Sequence, residues 1–442
     1  MKTFFSSCNV ACILGSCLLV GAVFVQAGPL EQEQAKRIHE RLTGVIPSTQ
    51  VNPSNDNFVE PRQFPDAFSV LTAMEAELDG TDVNNDGLSG GVGAAYIAMN
   101  HKAFYGATIK NWVAPWTNRD QDVFVPFNDY IATVIGYIKE ERDFRGILHE
   151  DQIGVSTHGG VPAYSTIFTP DTDDTIEDHY EYLENNGLVH TVELQTQSSV
   201  TGMPMTATAG VMTSHAAGRA FFVDGTNRAM FRFTLLNHMC RDLEQVQDNT
   251  RAPDRIRQDV SRSPGGDSRV FLNNCISCHS GMDPLAQAFA YYDYDNDELD
   301  ADGNARTPSF RVTYNDVGQL DPVTGTRVDK KHLINATTFP QGYVTTNENW
   351  VNYWREGPNS LLGWDNTLPE SASGANTMGR ELAHSQAFAQ CQVEKVFKNV
   401  CLRDPINATD LAQLQTLTTS FGVNSYNLKR VFAETADYCK GG

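Results

Sequence analysis

Apolar residues return at helical spacing in most of the segments where they gather. Between residues 128 and 141, Ile131, Val134, Ile135 and Ile138 fall on one face of a 3.6-residue period and predict a helix. Similar spacing predicts helices over 32–42, 67–78 and 92–100. The longest pattern, "RAFFVDGTNRAMFRFTLLNHMC", predicts one helix from Arg219 to Cys240, and Pro284 to Tyr292 reads as a shorter one. Near the end, Leu382, Ala389, Val393, Val396 and Val400 predict a continuous helix from Glu381 to Cys401, stopped by Pro405. Leu411, Leu414 and Leu417 mark a second C-terminal helix, and Leu428 to Tyr438 a third. Polar, Pro- and Gly-rich stretches separate these elements at 47–65, 79–91 and 195–208. Residues 305–375 show no clear period, and 357–376 read as a long loop. No internal repeat is present. The expected fold is mainly α, with an N-terminal mostly helical region at 28–217, a middle domain at 218–375 and a C-terminal helical domain at 376–442.

The first residues read differently. Lys2 is followed by the apolar run Ala11–Val25, too short to span a bilayer comfortably, and then by the small-residue site Val25-Gln26-Ala27. This predicts a signal peptide over 1–27 and a mature chain that is periplasmic or secreted, with no membrane span. A lipid-attachment reading of Leu14-Gly15-Ser16-Cys17 is less favoured, because the apolar run continues past Cys17.

Composition narrows the partners. The chain has 442 residues, 40% of them hydrophobic and 20% charged, with a net charge of −21. Such acidity repels nucleic acid and anionic membrane surfaces, so a protein partner drawn electrostatically should carry a basic docking patch.

Of the nine cysteines, Cys8, Cys12 and Cys17 leave with the signal; Cys240, Cys275, Cys278, Cys391, Cys401 and Cys439 remain. Two of the six sit in "NNCISCHSGMDPL", where Cys275, Cys278 and His279 form a CxxCH. Two thiols at this spacing can add to the two vinyl groups of one haem, and the following histidine can ligate its iron. In a chain this poor in cysteine and histidine, a chance match is expected roughly 0.4% of the time. A redox CxxC would need a βαβ setting, and a zinc site would need a second ligand cluster; neither pattern is present. A plain disulfide would leave His279 without a role. The expectation is therefore one covalent haem c bound by Cys275 and Cys278, with His279 as proximal ligand and 218–375 as its domain. His279 needs an acceptor for its other ring nitrogen, from Pro284 or the turn Ser280–Asp283. For the sixth position Met378 is the candidate, taken to lie just before a helix beginning near Gly379; a packing role is its alternative.

The segment "NNCISCHSGMDPLAQAFAYYDYD", with Met282, Asp283, Pro284, Leu285 and Asp293, resembles the cytochrome c segment of planctomycete-type cytochrome c proteins with domains of unknown function. "RFTLLNHMC" and "MGRELAHSQAFAQCQVEKVFKNVCLR" are similar to that family's preceding helix and closing helical domain. Ala286 stands where the family usually has glycine, and 28–200 show no match. The resemblance implies an exported c-type cytochrome and supplies no substrate. The leading function is electron transfer through one haem. The alternatives are a haem-dependent oxidoreductase with a substrate pocket from the N-terminal region, and a ligand-binding module that carries a haem.

The other cysteines carry a geometric expectation. Ten residues along one helix separate Cys391 from Cys401 by about 15 Å, beyond the roughly 7 Å that a disulfide spans. Cys240 and Cys439 should each pair with one of them. Elsewhere, "DVNNDGLSGGVG" from Asp82 matches the opening of a calcium loop, but Gly93 stands where a bidentate carboxylate belongs, so a plain turn is expected. The turn around Asp295 and the acidic run Asp171–Glu181 with His179 read as solvated surface. Met282, His215, His238 and His384 read as structural.

Overall fold

The computed structural model describes residues 28–168, 178–299 and 303–441. The expected signal segment lies outside the described residues, as does most of the acidic run from Asp171. The fold is mainly helical. Its main helices are α1 (Pro29–Thr43), α2 (Val70–Leu78), α3 (Gly90–Met99), α4 (Asp129–Lys139), α5 (Arg228–Met239), α6 (Ile276–Ala286), α7 (Ala375–Ala383), α8 (Gln386–Cys401), α9 (Ala408–Val423) and α10 (Leu428–Cys439). Shorter helices and turns connect them, and the strands among the described residues form three short antiparallel pairs. They join β1 (Gln152–Val155) to β2 (Glu193–Thr196), β3 (Tyr292–Tyr294) to β4 (Val312–Tyr314), and β5 (Asn349–Val351) to β6 (Ser371–Ser373). Tyr292 faces Tyr314, and Trp350 faces Ala372.

Local chemistry explains several boundaries. Ser69 accepts from Thr72 N while the Thr72 hydroxyl accepts from Ser69 N, a reciprocal cap that starts α2. Asn128 caps α4 by accepting from Ile131 N. That helix is buried from Asp129 to Ile138, on every side rather than along one stripe, and so lies inside the protein. Around it runs one contiguous apolar core, from Ala35 on α1 to Ala436 on α10. The last helix, α10, packs on α3 and α1, and α8 packs on α10 and α5. The N-terminal, middle and C-terminal segments therefore share one core.

Three helix expectations change. The run Arg219–Cys240 is two helices, His215–Phe221 and α5, because Asp224-Gly225-Thr226 forms a turn and Asn227 takes a left-handed φ of 60°. The buried Asn227 side chain donates to the Phe289 and Tyr292 carbonyls at 3.1 and 2.9 Å, a tertiary demand that fixes where α5 starts. The expected helix Glu381–Cys401 is interrupted after Ala383, and Ser385 caps α8 by accepting from Phe388 N. The helix placed over Pro284–Tyr292 is instead α6, which contains Cys278 and His279 and ends at Ala286.

The disulfides are Cys240–Cys391 and Cys401–Cys439, with Cα separations of 5.3 and 5.5 Å. Each of Cys240 and Cys439 takes one cysteine of α8, in agreement with the geometric expectation. The first bond ties α5 to α8, and the second ties α8 to α10. No helix among the described residues is long and apolar enough to cross a membrane.

Candidate functional site

The chain enters α6 through a short helical turn, Ser268–Val270, and a wide π-turn, Phe271–Cys275. Cys275, Cys278 and His279 then stand at i, i+3 and i+4, which places them on one helical face. All three are half-buried. Beyond them, Gly281, Met282 and Leu285 are buried. The serines between them fasten the helix to the loop at Asp248. Ser277 O accepts from Asp248 N at 2.9 Å, and the Ser280 hydroxyl donates to Asp248 O at 3.1 Å. Phe271 and Ile256 form a small apolar cluster against Cys275 and Ile276, while Val270 and Leu272 leave apolar surface exposed beside it.

Cys275 and Cys278 are free, although the other four described cysteines are paired. Burial raises the Cys278 thiol above its ordinary pKa, and the thiol donates to Leu243 O at 3.8 Å. A nucleophilic redox cysteine requires the opposite shift.

His279 Nδ1 lies 3.1 Å from Asp283 Oδ1, one helical turn on. Asp283 is buried, and burial alone would raise its carboxyl. The charge and hydrogen bonds of Arg228, together with His279, reverse this and hold the carboxyl far below the usual range. An ionised carboxylate only accepts, so the ring proton belongs on Nδ1 and the Nε2 lone pair is left available.

Behind Asp283 lies a buried relay. Arg228 donates to both oxygens of Asp283, at 2.6 and 2.8 Å, and to both of Asp259, at 2.6 and 3.0 Å. Arg257 N donates to Asp283 at 3.2 Å, and its guanidinium reaches Asp259 at 3.5 Å and His332 Nδ1 at 2.6 Å. Burial, with Arg228 beside it, lowers the Arg257 guanidinium to about 10. His332 is kept neutral by burial and by Arg257. The sequence reading named the Ser280–Asp283 turn as a source of the acceptor for His279. It missed Arg228, Asp259, Arg257 and His332, whose positions depend on tertiary packing.

Met378 is inside α7, which begins at Ala375, and its side chain is fully enclosed in the main core. Its helix packs chiefly on the turn Phe144–Leu148, and the neighbouring Gly379 lies against Leu148 O. Met282, one helical turn on from Cys278 and His279, is buried in the main core. Both His179 ring nitrogens have backbone partners, Pro162 O and Ser156 N, and His238 Nε2 is bonded to the Tyr130 hydroxyl at 2.6 Å. His384 Nδ1 faces Asp365 at 3.5 Å, and the His215 ring packs edge-on to Tyr294. Asp295 is occupied by Arg306 and Ser309.

Among the described residues no group of three or more His, Cys, Asp or Glu side chains is gathered tightly enough to hold a metal ion. Comparisons with protein-family models, with curated proteins and with solved structures find no match to this chain.

The donor set can still be tested against a covalent haem. Two unpaired thiols and an imidazole share one accessible helical face. The imidazole is in the tautomer that offers Nε2, and apolar side chains flank the face. These residues fit the group.

Proposed function

We propose that this chain is an exported mono-haem c-type cytochrome that transfers electrons. One observation carries the reading: at the start of α6, the free thiols of Cys275 and Cys278 stand on one helical face with His279, whose Nδ1 is tied to Asp283, leaving Nε2 available to a ligand. Cys275 and Cys278 would hold the haem through thioethers, and His279 would ligate its iron. Bound there, the haem supplies one-electron chemistry at a potential set by its ligands and surroundings. The chain's own contribution is positional. Asp283 holds the imidazole in one tautomer and one orientation, and Arg228 and Arg257 hold Asp283 ionised in the interior. The likeness to planctomycete-type cytochromes supports the same reading. Two disulfides suit an oxidising compartment, and the charge of −21 suits a redox partner with a basic patch.

The experiment is haem staining of the purified chain after boiling and denaturing electrophoresis, alongside a reduced pyridine spectrum. Stain should stay with the polypeptide and be lost from the Cys275→Ala, Cys278→Ala double variant. Stain that leaves on denaturation, or a Cys275–Cys278 disulfide found by peptide mapping, overturns the proposal.

A specific observation also favours a haem-dependent oxidoreductase. The acceptor at Nδ1 is a carboxylate rather than a carbonyl, which makes the imidazole a stronger donor to iron. Rapid carbon monoxide binding by the reduced protein would select this second reading, and its absence would select electron transfer.

A further inference from the structure

Helices α2 and α3 pack against each other and are joined by the loop that sequence alone assigned to a plain turn. The loop is folded around its own polar groups. Asp82 accepts from Asp86 N at 3.1 Å and from Gly87 N at 2.8 Å, and Asp86 accepts from Leu88 N at 2.9 Å. Gly87 sits at φ 81°, the left-handed turn that a calcium loop needs at its sixth position. Counting from Asp82, the first, third and fifth positions are Asp82, Asn84 and Asp86, and the seventh would offer the Leu88 carbonyl. The twelfth, which should bring a bidentate carboxylate, is Gly93 on α3.

The missing carboxylate is present, but it comes from another helix. Glu77, on the last turn of α2, is fully buried. Its Oε1 accepts from Val83 N and Asn84 N at 2.7 and 3.4 Å, so the carboxylate is aimed into the loop. Its Oε2 is buried and has no hydrogen-bond partner. A Cβ built on Gly93 would collide with that same Oε2. Gly93 thus leaves open the space into which Glu77 reaches. A buried carboxylate oxygen without a partner is costly unless a cation or a donor meets it. Among the described residues, no lysine or arginine forms a salt bridge with Glu77, Asp82 or Asp86.

We infer that the α2–α3 loop is a calcium site in which Glu77, from the entering helix, supplies the carboxylate that Gly93 lacks. Its donors would be the carboxylates of Asp82, Asp86 and Glu77, the Asn84 amide oxygen, the Leu88 carbonyl and water. Oxygen donors alone, on a loop with freedom to adjust, suit Ca²⁺ better than the smaller Mg²⁺. The carboxylates do not converge on one point as they stand. Asp82 and Asp86 are exposed, so their side chains are free to turn toward a cation. The loop also borders a surface cavity of about 690 Å³, lined by Asn84, Asp86 and Leu88, through which an ion can approach. Burial pushes the Glu77 carboxyl up to about 7 against the pull of the two N–H groups, and the charges of Asp86 and Asp82 add to the rise.

The test is calorimetric titration of the full mature chain with CaCl₂ and, separately, MgCl₂. Wild type should bind one Ca²⁺ with a Kd on the order of 10⁻⁵ to 10⁻³ M, at least tenfold tighter than Mg²⁺. Glu77→Gln, close to isosteric, and Asp86→Ala, at an exposed position that does not endanger folding, should each weaken binding tenfold or more. Circular dichroism confirms that both variants are folded. No heat of Ca²⁺ binding in wild type overturns the inference, as does binding that Asp86→Ala leaves unchanged. Because the readout involves no haem, it stands or falls independently of the electron-transfer proposal.

Discussion

Asp283→Asn is the sharpest probe of how the helix bearing the cysteines is held. The substitution keeps the shape of the side chain and removes its charge. In the native chain Asp283 is buried and accepts from Arg228 twice, from Arg257 N and from His279. Two unit charges about 4 Å apart in a medium of effective dielectric near 20 attract by about 4 kcal/mol. Breaking a buried pair from one side typically costs about 3–5 kcal/mol. Arg228 keeps Asp259 in the variant, and an asparagine oxygen can still accept one bond, so a loss of about 3 kcal/mol is expected for Asn and more for Asp283→Ala. The pH dependence has a definite sign. The folded carboxyl is depressed, so its stabilisation is complete above the unfolded value near 4 and is lost as pH falls from there toward the folded value. Wild type should therefore lose stability below about pH 4 more steeply than Asp283→Asn. Urea unfolding at pH 7 and pH 3 measures both effects. In the haem-loaded protein a less basic His279 should raise the midpoint potential of Asp283→Asn, read by redox titration. Equal stability of variant and wild type at pH 7, with an unchanged potential, would refute the reasoning.

Three other outcomes are expected. In the loop-entropy treatment, closing 151 residues with Cys240–Cys391 contributes about 5 kcal/mol and closing 38 with Cys401–Cys439 about 4. The Cys240→Ser, Cys391→Ser variant should then unfold at lower urea than the Cys401→Ser, Cys439→Ser variant, and peptide mapping that finds Cys240 joined to Cys439 would contradict the assignment. Met378→Ala should cost about 2–5 kcal/mol by opening a cavity in the core and leave the haem spectrum unaltered. Loss of a far-red thioether band in that variant would instead make Met378 the sixth ligand. Gly281→Ala should destabilise by about 1–3 kcal/mol, measured by thermal unfolding, because the added Cβ meets the indole of Trp354.

Local periodicity was enough to determine the helical class and the approximate places of α1 to α4, α9 and α10, because apolar residues cluster in each. It was also enough to set Cys275, Cys278 and His279 apart, since that chemistry is written in three positions within five residues. The distance along a helix ruled out a Cys391–Cys401 bond. Which cysteine each would meet depended on how α5 and α10 dock on α8, and no local pattern records that. Asp224-Gly225-Thr226 already forms a turn, and Asn227 fixes where α5 starts because its side chain serves carbonyls more than sixty residues away. The segment that holds the partner of His279 was legible in sequence, but only the helical register of α6 singles out Asp283 within it. Arg228, 55 residues upstream, fixes Asp283 from a different helix. The calcium loop failed its own motif at Gly93 because the carboxylate enters from α2 through space rather than along the chain. Sequence records short-range spacing, whereas a buried charge is answered by whatever the packing brings beside it, and here the packing brings Arg228 to Asp283 and Glu77 to Gly93.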